Sequence, residues 1–82
     1  MKYTVDVLIS LKKGVLDAEG EATKKALRLL GYKNVERVSS MKVFRIELNA
    51  KSREDAEKML REMCDRMLAN PVIQDYEIRW VG

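Results

Sequence analysis

The chain has 82 residues, of which 46% are hydrophobic and 35% charged, with one cysteine, no histidine and a net charge of +3. A chain this short forms one domain, residues 1–82, with a small core that makes oligomerisation or a partner a natural expectation. The lone cysteine excludes an internal disulfide, and the missing histidine removes the commonest general base and metal ligand.

Charges of both signs are interleaved, without the basic stripe that marks a nucleic-acid face. No apolar run is long enough to span a bilayer. Asp6 interrupts the apolar segment after Lys2 and no small-residue cleavage site follows, so no secretory leader is expected and the expected location is cytoplasmic.

The first element is "YTVDVLISL", residues 3–11, which sets Tyr3, Val5, Val7, Ile9 and Leu11 opposite Thr4, Asp6 and Ser10 and predicts a strand. Gly14 then supplies a turn. Asp17 is placed to cap a helix over residues 18–30, with Glu19 and Glu21 near its positive end. Ala22, Ala26, Leu29 and Leu30 share one face of that helix, and Gly31 is a natural stop. "KNVERVSS" and "MKVFRIELNA" predict two adjacent strands joined by a turn at Ser39 and Ser40. The first is irregular, because Val35 and Val38 fall on opposite faces of an even strand.

Ser52, with Asp55 three residues later, predicts the cap of a second helix. Its apolar stripe is Ala56, Met59, Leu60, Met63, Cys64, Met67 and Leu68. Asn70 and Pro71 end it, since proline has no N–H to donate and pushes the preceding residue out of the helical region. A last strand is expected to set Val72, Tyr76, Ile78 and Trp80 against Ile73, Asp75, Glu77, Arg79 and Val81.

The order strand, helix, strand, strand, helix, strand predicts an α+β two-layer sandwich of the ferredoxin-like kind. Its sheet is expected to have four mostly antiparallel strands, with both helices on one face. Leu8, Met41, Val43, Ile73 and Val81 then fall on the other face, more apolar surface than a solvated face carries, which predicts a dimer or larger assembly through sheet faces or edges.

No constellation of catalytic residues stands out. Asp17, Glu19 and Glu21 suit a helix start on dipole grounds alone. Lys12, Lys13 and Gly14 share a fragment of a phosphate loop without its Gly-Lys-Ser/Thr ending, and an ordinary strand-to-helix turn accounts for them better. Cys64 sits among Met59, Met63 and Met67, where a thiol behaves as a small hydrophobe. The element order also suits sheets that stack RNA bases, but "MKVF" lacks the glycine and aromatic pattern such sheets use. A stand-alone oligomeric module that binds a small ligand or RNA is the alternative reading of the residues.

Three stretches, "LKKGVLDAEG" (11–20), "ALRLLGYKNVERV" (26–38) and above all "MCDRMLANPVIQDYEI" (63–78), give the chain a further character. Through them it resembles the PurS family, the small subunit of phosphoribosylformylglycinamidine synthase, also called formylglycinamide ribonucleotide amidotransferase. Two departures stand out. Ala18 occupies the position after the cap where the family usually has proline, and Ser39, Ser40, Met41 and Lys42 replace an arginine and a glycine-lysine turn, with only Lys42 retained.

The resemblance implies a non-catalytic subunit of an ATP- and glutamine-dependent carbon–nitrogen ligase of purine biosynthesis. A large synthetase subunit would use ATP and Mg2+, a glutaminase subunit would release ammonia, and this chain would bridge them, with no catalytic, cofactor or metal residue of its own. Partner contact is then expected from Lys12, Lys13, Gly14, Asp17, Lys42 and Asn70.

Overall fold

The computed structural model describes all residues, 1–82. Its elements in chain order are β1 (Lys2–Leu11), α1 (Ala18–Leu29), β2 (Met41–Asn49), α2 (Arg53–Met63), which runs on into a π-helical turn (Cys64–Leu68), and β3 (Gln74–Trp80).

The period-two pattern of β1 makes it the central strand of an antiparallel sheet ordered β2-β1-β3. Val7 lies opposite Phe44 on one side and Ile78 on the other, which brings the apolar positions of all three strands to one face. Val5, Val7 and Ile9 are buried there in one cluster with Leu60 of α2, Cys64 of the π-helical turn and Ala69 after it. Tyr3 meets Trp80 edge to face at 5.8 Å between ring centroids, and the Arg53 guanidinium lies 4.5 Å over the same indole.

α2 begins where expected, with the Ser52 hydroxyl accepting from the Asp55 N–H. Its end differs from a regular helix. The Ala69 N–H reaches back five residues to the Cys64 carbonyl, so the buried line runs Ala56, Leu60, Cys64, Ala69. The extra residue in the turn swings Met67 out of the predicted stripe, and it is 80% exposed. Val72 likewise falls in the turn after Pro71, because β3 starts only at Gln74.

Two larger expectations are corrected. The sheet has three strands and not four, since residues 32–40 form no ladder. The three-residue step between Val35 and Val38 would put them on opposite faces of a strand, and both side chains are only half-buried. Ser39 and Ser40 are accordingly no hairpin turn.

Nor do the two helices share a face. α2 covers the sheet through Leu60, while α1 contributes no residue to the core cluster and buries only Gly20. It projects as an arm, with Leu29 80% and Leu30 75% exposed. The molecule measures 51 × 27 × 14 Å, with a radius of gyration of 16.2 Å. A compact chain of this length has about 12 Å.

Candidate partner-binding site

The arm is fastened at its base by Asp17. Its carboxylate accepts from the Gly20 N–H at 2.9 Å, which caps α1, and from both the backbone N–H and the hydroxyl of Ser40, each at 2.6 Å. The Ser40 hydroxyl and amide, then the Gly20 amide, hold the Asp17 carboxyl below the usual carboxylate range. Gly20 has no room for a side chain, since a Cβ there would run into the Val38 carbonyl and the Asp17 carboxylate. The far end closes in a Schellman turn, with Gly31 at φ 107° and the Tyr32 N–H donating to the Leu27 carbonyl. Arg28 then ties the return segment to the helix, donating to the carbonyls of Val35 at 3.0 Å and Lys33 at 3.2 Å.

Between this base and the loop after β1 lies a cleft of about 520 Å3. Lys12, Lys13, Gly14 and Asp17, which were expected to act together, all line it. Arg37, Ser39 and Ser40 line its other side. Gly14 turns the loop at φ 88°, and Lys12 is anchored by its N–H to the Ile73 carbonyl at 2.8 Å and by its ammonium to Asp75 at 3.3 Å.

Lys42 and Asn70 stand apart from the cleft. Lys42 is on β2 with its ammonium 5.8 Å over the Phe44 ring. The Asn70 side chain accepts from the Val72 N–H at 3.0 Å and its carbonyl accepts from Ile73 and Gln74, so it shapes the turn into β3. Both nevertheless sit at the same end of the sheet as the cleft, because Lys42 pairs with Ile9 and Gln74 with Leu11.

The sequence reading missed Arg37 and the Asp17–Ser40 clasp. No local pattern announces a bond across 23 positions. No three His, Cys, Asp or Glu side chains converge anywhere in a way that could hold a metal ion. Cys64 is buried, and desolvation pushes its thiol up, away from the reactive thiolate.

Comparison with known proteins identifies the family. The sequence profile of PurS, described as phosphoribosylformylglycinamidine (FGAM) synthase, matches residues 4–82. The chain belongs to the PurS family. A PurS subunit of phosphoribosylformylglycinamidine synthase from Archaeoglobus fulgidus is 64% identical over 75 residues, 92% of this chain and 94% of that protein. Its counterpart from Methanocaldococcus jannaschii is 44% identical over 77 residues, 94% of this chain and 93% of that protein.

Solved structures extend the likeness to the fold. The crystal structure of M. jannaschii PurS superposes with a TM-score of 0.88 at 41% identity, over 100% of this chain and 98% of that one. A chain of the Thermotoga maritima PurLQS structure gives 0.92 at 25% identity, over 99% of each. These PurS matches run through the arm as well as the sheet.

Proposed function

We propose that this chain is the small PurS subunit of phosphoribosylformylglycinamidine synthase in purine biosynthesis, and that it joins the glutaminase subunit to the ATP-dependent synthetase subunit. The observation that carries the reading is the near-full-length identity to PurS subunits, with one fold neighbour drawn from a PurLQS structure. Chemistry belongs to the partners in this reading: ATP and Mg2+ to the synthetase, and glutamine to the glutaminase. Ammonia must pass between them before it is protonated or lost. A subunit that fixes the two sites in register promotes that transfer through orientation alone.

The shape of the chain supports such a role. An arm with Leu29 and Leu30 bare is poorly stabilised alone, and a second copy is the cover we assign to its apolar face, giving a homodimer or homotetramer. We assign partner contact to Lys12, Lys13, Gly14 and Asp17 around the cleft, with Lys42 and Asn70 at the same end of the sheet. No helix is long and apolar enough to cross a membrane, and we place the protein in the cytoplasm with the rest of its pathway. Sedimentation of the purified chain with the two partner subunits tests the proposal: a complex containing all three supports it, and independent sedimentation of this chain refutes it.

A further inference from the structure

The net charge of +3 is not spread over the molecule. Residues 12–40 hold seven Lys and Arg against four Asp and Glu, while the rest of the chain holds nine of each, so the whole excess lies on the loop, the arm and its return segment. Three of the four acids there, Asp17, Glu19 and Glu21, cluster at the base of α1. Beyond them the arm is cationic.

Its cations are also unneutralised. The five ion pairs of the chain use Lys2, Lys12, Arg45, Arg61 and Arg79, and none involves Lys24, Lys25, Arg28 or Lys33. These four, with Glu21 and Leu29, line a shallow depression of about 550 Å3 on the flank of α1. Arg28 is already oriented by its bonds to Val35 and Lys33, and one of its terminal nitrogens donates to neither carbonyl.

We infer that this cationic flank docks an acidic patch on a partner subunit of the synthase, a reading that rests on the function proposed above. A second copy of the chain is a poor match, because its own arm is equally positive and its other acids alternate with bases, many already paired. The apolar and cationic faces of the arm adjoin at Leu29, which borders the depression, and they meet different neighbours: the apolar side that carries Leu30 a second copy, Lys24, Lys25, Arg28 and Lys33 an acidic subunit. Paired charges across such a contact raise the association rate and make it sensitive to salt.

The test is calorimetric titration of the full chain with each partner subunit at low and moderate salt. The arm variant Lys25→Glu/Lys33→Glu is set beside Lys51→Glu/Lys58→Glu, which changes the net charge equally on exposed positions away from the arm. The arm variant is expected to weaken binding to one subunit by about tenfold and flatten its salt dependence, with the control within about twofold of the parent. Lys25→Gln/Lys33→Gln is expected to fall between, and self-association to stay unchanged. Equal losses in arm and control variants overturn the inference. So does an arm variant that loses self-association while keeping subunit affinity, or one whose only loss is capture of single-stranded RNA. Failure of the parent chain to bind either subunit refutes the functional reading itself.

Discussion

Asp17 grips Ser40 twice, through the serine hydroxyl and backbone N–H, both at 2.6 Å, while a third bond from Gly20 caps α1. One carboxylate therefore joins the start of the arm to the start of β2. Asp17→Ala is expected to leave the sheet folded and loosen the arm at its base. Amide hydrogen exchange checks this: Gly20 and Ser40 should exchange faster while Val7 in β1 stays protected.

The same clasp sets an acid limit. Because the folded carboxyl of Asp17 is held below its unfolded value, its contribution is fully present above the unfolded pKa, about 3.9, and is lost as pH falls through the lower folded value. Asp6 behaves alike, chiefly through its hydrogen bonds from Arg45 at 2.7 and 2.9 Å. Stability should thus be insensitive to these two groups from neutral pH down to about 4 and fall below it. Carbon-detected NMR titration of both carboxyls, with midpoints below the ordinary Asp value, is the check.

The π-helical turn makes a paired prediction about the core. Leu60 is fully buried between α2 and the sheet, so Leu60→Ala should cost about 2–5 kcal/mol. Met67 belongs to the same sequence stripe but points to solvent, and Met67→Ala should stay within about 0.5 kcal/mol. Urea unfolding of the two variants separates this arrangement from a regular helix, in which both would be costly.

Self-association should depend on the arm's apolar face. Leu30→Lys alters an exposed side chain that does not line the cationic depression. Its circular dichroism should match the parent, while analytical ultracentrifugation should show a shift toward monomer.

Much of this was legible in the sequence, for reasons particular residues make plain. β1 alternates cleanly because it is central and one face, with Val5, Val7 and Ile9, is buried. The Ser52 and Asp17 caps are local signals, and both formed as read. The fourth strand failed where Val35 and Val38, three apart, fall on opposite faces of an even strand and leave it no single apolar side.

The position of α1 was hidden for a different reason. Ala22, Ala26, Leu29 and Leu30 do form one face, but a sequence states that a helix has an apolar side without stating which chain covers it. The cleft was half visible: Lys12, Lys13, Gly14 and Asp17 lie in one short loop, whereas Arg37 and Ser40 arrive only through the fold. Met67 was misplaced because nothing in "CDRML" announces the extra residue of a π turn.

The central claim is that this chain joins two catalytic partners without doing chemistry itself. Its most direct test is the rate of formylglycinamidine ribonucleotide synthesis by the synthetase and glutaminase subunits, measured with glutamine and with added ammonia, each with and without this chain. The account predicts that glutamine-driven synthesis requires the chain while the ammonia-driven rate changes far less. Glutamine-driven synthesis at the same rate in its absence would contradict it.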